Sequence, residues 1–279
     1  MAFVNEQGAT AHITLSATGS PALMALLWEV FFRSRQRGVS LERHFPWLAS
    51  ASPSVTFAEA RIGGMTVGGL VLRELSCTLE GKTLRVGMIG LVCVAPSYRG
   101  QGVANRLIAA AIAHAGEQGL DCLTLWTSKH AVYEKQGFAT LDRWMYGWVR
   151  DASGASAQAF HPGSELLPDD NLALPPFAQA VYRYTGGAAS IVVLADEQGA
   201  IVTAYEGEAA AAAHAMVRLL PSCWRLNVLE HDPLVAALAM LGKTVTVAPS
   251  QLQMWRALNA ALPVTAVAQQ LAIAVIDRI

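Results

Sequence analysis

A short segment between a predicted strand and a predicted helix has the residue types that bind an anion. It runs from Arg99 to Ala104 with the sequence Arg-Gly-Gln-Gly-Val-Ala. Gly100 and Gly102 let backbone amides approach a phosphate that a Cβ atom would hold away, and Arg99 adds a positive charge. Because the first amides of a helix have no intrahelical acceptor and the helix dipole favours negative charge, the segment predicts an anion site.

A second segment holds a candidate proton donor. It runs from Tyr133 to Phe138 with the sequence Tyr-Glu-Lys-Gln-Gly-Phe, in which the glycine is typical of a helix end. A tyrosine keeps its proton at neutral pH because its ordinary pKa is near ~10, so it can donate that proton or a hydrogen bond. The alternative interpretation is that the Tyr133 ring caps the core and its hydroxyl bonds a backbone group.

The elements that must position these segments are indicated by the hydrophobic pattern. Apolar residues alternate at period two where strands are expected and recur at three and four residues where helices are expected. The predicted strands are 55–60, 66–77, 82–94, 121–127 and 138–149, and the helices are 102–115 and 130–136. This order predicts an α/β (α+β) fold, with an antiparallel meander followed by a strand, helix, strand crossover.

In this setting the two segments resemble the GNAT superfamily of acyl-CoA-dependent N-acyltransferases. The loop fits the family signature of Gln or Arg, two residues, Gly, one residue, then Gly or Ala at every position from Arg99 to Ala104. The second segment is similar to the family's Tyr-x-x-x-Gly-Phe helix. A dinucleotide fingerprint fits less well, because it needs glycine where Asn105 stands and an acid at the end of a strand, whereas Asp121 begins one.

The resemblance implies that acetyl-CoA or a related acyl-CoA is bound, and it implies roles for individual residues. The backbone amides of the loop would hold the pyrophosphate. The loop residues are Arg99, Gly100, Gln101, Gly102, Val103 and Ala104. The preceding strand would bind the pantetheine arm where a bulge separates it from the next parallel strand, and these residues are Leu91, Val92, Cys93 and Val94. Tyr133 would be the general acid for the departing thiolate. No metal is expected.

The base that removes the proton of the amine is not marked by the sequence. Many family members carry a glutamate on the strand before the loop, but residues 85–94 contain no carboxylate. Glu59, Glu74 and a water relay are therefore alternatives. We interpret Cys93 as a buried bystander rather than a nucleophile, and His130 as a candidate lining residue of the acceptor pocket.

The strand and helix order of the first half recurs in the second half, which predicts two GNAT-like units in tandem, each a twisted mixed sheet flanked by helices. The expected boundaries are a catalytic domain over 1–150, a linker rich in turn residues over 151–176, and a degenerate copy over 177–279. In the second copy, Glu206 and Glu208 flank the one glycine at the loop position and would repel a pyrophosphate, and Leu238 stands where Tyr133 stands in the first.

Composition excludes several classes of protein. With 53% hydrophobic and 15% charged residues and a formal net charge of −1, the chain is neither disordered nor built to attract nucleic acid or an anionic membrane. The four cysteines form no Cys-x-x-Cys pair, which argues against a zinc site and a disulfide framework. We see no secretory signal or membrane span, and we expect a cytoplasmic protein, monomeric or homodimeric.

The sequence supports two functions of different classes. The first is an N-acetyltransferase that moves an acetyl or other acyl group from acyl-CoA to a primary amine, of a small molecule or a peptide, by direct attack in a ternary complex. The alternative is a non-catalytic acyl-CoA sensor, which the missing strand carboxylate motivates. Only the enzyme would release free thiol when it is given an amine.

Overall fold

The protein is described by a computed structural model, which covers residues 11–33, 39–48, 54–151, 154, 156 and 158–279. Residues 1–10, which carry the expectation about a secretory signal, lie outside this part, as do four residues of the predicted linker. The structure confirms the predicted fold class. It contains two seven-stranded mixed sheets flanked by helices.

The strands and helices have these bounds. The strands are β1 (His12–Ser16), β2 (Val55–Ile62), β3 (Met65–Leu79), β4 (Lys82–Val94), β5 (Cys122–Trp126), β6 (Ala139–Thr140), β7 (Trp144–Asp151), β8 (Leu167–Pro168), β9 (Ala180–Gly186), β10 (Ala189–Asp196), β11 (Gly199–Gly207), β12 (Cys223–Leu229), β13 (Lys243–Pro249) and β14 (Gln253–Ala257). The helices are α1 (Pro21–Phe31), α2 (Leu41–His44), α3 (Val103–Glu117), α4 (His130–Glu134), α5 (Ala209–Leu219), α6 (Pro233–Met240) and α7 (Val264–Gln270).

The first unit is built on the sheet β1-β2-β3-β4-β5-β14-β6. Helix α3 packs on one face because its apolar side chains fall on a single stripe, and the buried ones are Val103, Leu107, Ile108, Ala111 and Ala115. Helix α1 packs on the other face through Leu23 and Leu27. It starts where the Ser20 side chain accepts a hydrogen bond from the Leu23 amide at 3.1 Å.

The second unit is built on the sheet β13-β7-β12-β11-β10-β9-β8. Helices α5 and α6 contribute Met216, Leu234 and Leu238 to its core, beside Trp224 of β12. Helix α6 begins at Asp232, whose side chain accepts a hydrogen bond from the Leu234 amide at 2.9 Å.

The units are divided differently from the predicted boundaries, because two strands lie in sheets remote from their sequence neighbours. Unit 1 comprises Met1–Leu141, Leu252–Leu271 and Arg278–Ile279, and unit 2 comprises Asp142–Gln251 and Ala272–Asp277. Strand β14 lies between β5 and β6 in the first sheet, and β7 lies between β12 and β13 in the second. The predicted strand over 138–149 is therefore two strands, one in each sheet.

The predicted linker over 151–176 contains part of the second unit. Leu166 is buried in its core, Leu174 is buried as well, and β8 pairs with β9. Turn residues dominate this segment, but the side chains of Leu166 and Leu174 are shielded from solvent. Sequence periodicity identifies regular elements and does not detect single buried residues in an irregular segment.

Candidate functional site

The predicted anion loop connects the end of β4 to the start of α3. After Val94 the chain makes a single turn of 3₁₀ helix over Pro96–Tyr98, and α3 begins directly after Gly102. Gly100 and Gly102 have φ angles of 77° and 74°, in the left-handed region. An ideal Cβ at either position would meet nothing within 4 Å, so glycine is required for the backbone angle rather than for space.

The loop presents an unbroken run of free amides. Arg99 N donates to Pro96 O, and Arg106 N donates to Gly102 O. Between them, the six amides from Gly100 to Asn105 donate to no group of the described residues. Gly102, as the N-cap, has no side chain to cap the first turn. Six adjacent amides and the positive end of a helix dipole are the groups that bind anions at helix N-termini in general.

Neighbouring side chains hold the loop in this shape. Arg99 is exposed, and its Nε donates to Val94 O at 3.1 Å. Gln101 Nε2 donates to Ser97 O at 3.2 Å, and Arg106 Nη2 donates to Gln101 O at 3.3 Å. Val103 is buried in the core and Ala104 is half-buried. The guanidinium groups of Arg99 and Arg106 therefore both lie at the loop.

A bulge and a gap lie on β4 just before the loop. Gly90 pairs with Val71 of β3 and Cys93 pairs with Gly69, so β4 has one more residue than β3 in between. Leu91, at this bulge, has a φ of 51°. The parallel pairing of β4 with β5 covers Val86–Met88 and, within the described residues, extends no further toward the loop. One edge of β4 is thus left unpaired from Ile89 onward.

The four predicted strand residues lie at this gap, with side chains on both faces of the sheet. Leu91 and Cys93 are buried in the cluster around α1, whereas Val92 and Val94 pack against the cluster around α3. Burial raises the pKa of the Cys93 thiol to about 11. The thiol is therefore protonated at neutral pH, which disfavours it as a nucleophile.

Tyr133 lies on α4, next to the first turn of α3. Gln136 Nε2 donates to Asn105 O at 3.4 Å, which links the end of α4 to α3. The Tyr133 ring meets Phe138 edge-on at 6.0 Å and is 9% exposed. Its hydroxyl makes no hydrogen bond with the described residues. Burial raises the pKa of Tyr133, so the phenol keeps its proton.

His130 begins α4 one turn before Tyr133 and shares its helix face. Its Nε2 is buried and has no hydrogen-bond partner in the part of the chain that the structure describes. Such an atom is costly unless a ligand or water satisfies it. The helix therefore carries two hydrogen-bonding groups, those of His130 and Tyr133, that the described residues leave unused.

Glu59 is buried in a network of hydrogen bonds. It faces Gly69, which in turn pairs with Cys93, so it lies two strands from the bulge. Arg61 Nε donates to Glu59 Oε1 at 2.8 Å, and Thr66 Oγ1 donates to the same oxygen. Burial raises the pKa of Glu59, but hydrogen bonds from Arg61, Thr66 and Ser20 outweigh it and lower the pKa overall. A carboxylate so held is a weak base.

Glu74 lies far from the loop. Arg85 clasps its carboxylate with Nε at 2.7 Å and Nη2 at 2.8 Å. The pair lines a cavity of about 260 Å³ together with His114 and Gln118, near the end of α3 opposite to the anion loop. Fifteen helical residues separate these ends by roughly 22 Å. The structure therefore does not bring Glu74 to the site.

Several residues at the site come from the end of the chain and were not predicted from the sequence. The guanidinium of Arg278 lies 5.0 Å from the ring centroid of Trp126, at the end of β5. A Cβ at Gly90 would lie 2.4 Å from the carbonyl carbon of Ile279. Arg256 of β14 packs against Gly137, just after α4. Nothing in their local sequence signals these positions.

Among the described residues, no group of three or more His, Cys, Asp or Glu side chains could hold a metal ion. None of the helices in this part of the chain is long and apolar enough to cross a membrane.

Comparison with known proteins finds a family likeness in the first unit. Residues 14–141 match the family model of the acetyltransferase (GNAT) domain. This region is thus similar to a GNAT acetyltransferase domain, and the match covers 128 of the 279 residues. The match spans the loop, the bulged strand and α4, so the elements that the resemblance singled out lie within the matched region. No curated protein matches the chain.

Solved structures extend the likeness in fold to both units. A probable N-acyltransferase from Enterococcus faecalis has a TM-score of 0.63 at 12% identity, covering 90% of this chain and 73% of that one. GCN5-related N-acetyltransferases from Anabaena variabilis and Kribbella flavida have TM-scores of 0.60 and 0.57, each at 16% identity. They cover 89% and 90% of this chain and 73% and 72% of theirs. These matches cover about nine tenths of the chain, so the likeness in fold includes both units.

Proposed function

We propose that the protein is an N-acyltransferase that moves an acyl group from acyl-CoA to an amine. The run of six free amides from Gly100 to Asn105, beside Arg99, carries this proposal, because such a run fits a pyrophosphate. The match of residues 14–141 to the GNAT domain model supports it. Acetyl-CoA is the proposed donor, and a small-molecule or peptide amine is the proposed acceptor.

The residues of the site fit acyl-CoA in two places. The loop from Arg99 to Ala104 would hold the pyrophosphate, and the unpaired edge of β4 at Leu91–Val94 would hold the pantetheine arm through backbone hydrogen bonds. When bound, acyl-CoA supplies a thioester with a good leaving group. Free backbone amides beside the bulge would orient the acyl carbonyl and stabilise negative charge that develops on its oxygen.

Tyr133 is the proposed proton donor to the thiolate. Its hydroxyl has no partner among the described residues, and its raised pKa keeps it protonated across the neutral range. A phenol that is buried, protonated and free to hydrogen-bond meets the requirements for a general acid.

A proton must also leave the amine. Glu59 is held by Arg61 and Thr66, and Glu74 lies at the far end of α3, so neither is suited to this step. The buried Nε2 of His130, one turn from Tyr133, is the group that we propose to accept the proton, directly or through water. A water relay is among the alternatives that the sequence leaves open. In such a relay, His130 would be the group that finally accepts the proton.

We further propose that unit 1 is catalytic and that unit 2 is not. Unit 2 lacks a comparable loop, because Glu208 alone separates β11 from α5. Cytoplasmic location and a monomeric or homodimeric state remain predictions from the sequence.

The test is acetyl-CoA binding by calorimetry to the wild type, Gly102→Glu and Gly116→Glu. Gly102→Glu places a side chain and a negative charge among the free amides, at a left-handed φ of 74°. Gly116→Glu adds the same charge to an exposed position near the other end of α3. We expect binding to be lost in the first variant and kept within about twofold in the second.

The same three proteins also test whether the protein is an enzyme or a sensor of acyl-CoA. The absence of a carboxylate on residues 85–94 favours the sensor. An enzyme releases free thiol from acetyl-CoA when it is given an amine, above the rate of hydrolysis. Binding without thiol release across a survey of amines would favour the sensor. No binding by a folded wild type would overturn both functions.

A further inference from the structure

We propose that Arg256 of β14 binds the 3′-phosphate of CoA, as a second anion site beyond the loop. This inference rests on the proposed function. It concerns a residue from the last quarter of the chain, outside the region that matches the family model.

Arg256 lies beside the helix that carries Tyr133. Strand β14 pairs with β5, with Arg256 opposite Leu123, whose side chain faces the α3 core. The guanidinium reaches the end of α4, where a Cβ at Gly137 would lie 2.9 Å from Arg256 Nη1. Glycine at this position, with a φ of 80°, therefore makes room for the guanidinium.

A short series of contacts connects Arg256 to the anion loop. Gln136, the residue before Gly137, donates from Nε2 to Asn105 O at 3.4 Å. Asn105 lies in the first turn of α3, and its amide is the last of the six free amides. The guanidinium thus lies next to the residue that follows Gln136, and Gln136 contacts the first turn of α3.

Arg256 has unused hydrogen-bonding capacity. Its Nε is buried and has no hydrogen-bond partner, and the residue forms no ion pair with any described residue. A buried N–H of a charged group that lacks an acceptor is unfavourable, so an acceptor that bound this guanidinium would relieve that cost. The planar guanidinium offers two parallel N–H groups, and phosphate oxygens match this geometry.

The chemistry of CoA selects the 3′-phosphate as that acceptor. CoA carries a pyrophosphate within the molecule and a terminal phosphate monoester on the ribose. The six amides and Arg99 suit the pyrophosphate. A monoester with up to two negative charges is the remaining anionic group, and a two-pronged guanidinium suits its exposed oxygens.

The test compares CoA with 3′-dephospho-CoA as ligands of the wild type, Arg256→Gln and Arg256→Lys. Lys135→Gln is the matched control, because it removes one exposed positive charge two residues before Gly137. Affinities are measured by calorimetry, and thermal unfolding checks that each variant is folded.

We expect the wild type and Lys135→Gln to bind CoA about tenfold more tightly than 3′-dephospho-CoA. In Arg256→Gln this ratio falls to about one while the affinity for 3′-dephospho-CoA is unchanged, and Arg256→Lys lies between. A ratio in Arg256→Gln equal to that of the wild type would overturn the inference and leave the proposed function intact. Failure of the wild type to bind CoA would overturn both.

Discussion

The two units share a bulged hairpin and differ in the segment that connects it to the next helix. In unit 1 the extra residue lies on β4 near Leu91, and in unit 2 it lies on β11 at Thr203, between the pairs Val192 with Ala204 and Val193 with Val202. Both bulged strands also have a short parallel pairing with the strand after the next helix. The backbone that opens a gap in the sheet is therefore present twice.

The surroundings of the two gaps are different. Unit 1 has eight residues between β4 and α3, and these include the glycines of the anion loop, whereas unit 2 has only Glu208 between β11 and α5. In unit 2 the Tyr205 hydroxyl donates to Asp232 Oδ1 at 2.7 Å and so joins β11 to α6. In unit 1 the corresponding helix is α4, and none of the described residues forms a hydrogen bond with the hydroxyl of its Tyr133.

This comparison separates the features that maintain the fold from those that the proposed chemistry needs. The bulge and the apolar cores occur in both units, so they belong to the fold. The loop of free amides and the unpartnered phenol occur in unit 1, and we attribute ligand binding to them. In unit 2, the Glu208 amide donates to Ala188 O and the Tyr205 hydroxyl donates to Asp232, and these internal hydrogen bonds stabilise the unit instead.

The largest expected contrast concerns ion pairs. In unit 2 Arg225 is 5% exposed and pairs with Asp196, so Asp196→Ala leaves a buried charge and should lower the free energy of unfolding by about 3–5 kcal/mol. In unit 1 the Arg85–Glu74 pair has side chains 41% and 24% exposed, so Glu74→Ala should cost about 1 kcal/mol or less. Urea titration of both variants measures the difference, and equal losses would contradict it.

The two tyrosines should respond in opposite ways to loss of the hydroxyl. Tyr133→Phe should lower kcat about a hundredfold, equivalent to ~2.7 kcal/mol, with unchanged acetyl-CoA affinity and stability. Tyr205→Phe should leave kcat unchanged and lower the free energy of unfolding by about 1–2 kcal/mol, because it breaks a bond to a carboxylate. Steady-state kinetics and urea titration test both. A lower kcat in Tyr205→Phe would show that unit 2 contributes to the reaction.

Acid sensitivity should also differ between the units. The pKa of Glu59 in unit 1 and that of Asp169 in unit 2 are both lowered, Asp169 mainly by its hydrogen bond from Arg183. A lowered pKa in the folded state gives stability that is present above the ordinary pKa and is lost as the pH falls through the folded pKa. For Glu59 this contribution is complete above about pH 4.5.

Thermal unfolding between pH 3 and pH 7 tests this expectation. Glu59→Gln should destabilise by about 2 kcal/mol at pH 7 and by progressively less below pH 4.5, where the wild-type carboxylate also becomes protonated. Asp169→Asn should show the same trend with a smaller amplitude, since its charge is more exposed to solvent. A loss that is independent of pH would show that the carboxylate's charge is not involved.

The smallest effect is expected at Cys93. Its thiol is buried with a pKa raised to about 11, so it should react slowly with iodoacetamide at pH 7, and Cys93→Ala should keep kcat within about twofold. Peptide mapping after alkylation and steady-state kinetics measure these quantities. A large loss of kcat with unchanged stability would instead support a covalent mechanism with Cys93 as the nucleophile.

Local sequence signals predicted the local parts of the molecule well. The strands over 82–94 and 121–127, the helix that starts after Gly102 and the short helix at His130 are all observed, because each depends on periodicity and on end residues within a few positions. The anion loop was predictable for the same reason, since its glycines and its helix start are adjacent in the chain.

Nonlocal parts were not predictable from these signals. The residues of a strand do not specify which strands pair with it, so neither the place of β14 between β5 and β6 nor the position of Arg256 beside Gly137 can be derived from residues 253–257. The partners of Glu59 could not be predicted for the same reason. Whether a carboxylate in a strand is buried, and which groups bond it, depends on the neighbouring strands.

The placement of β14 and β7 has a consequence for biogenesis. During synthesis, the ribosome must release residues 253–257 before the first sheet can fill the position between β5 and β6. The N-terminal half cannot complete its fold until residues 253–257 have been made, and until then β5 exposes an edge able to pair with other chains. Folding is therefore governed by contacts between distant parts of the chain, so we expect it to be slow.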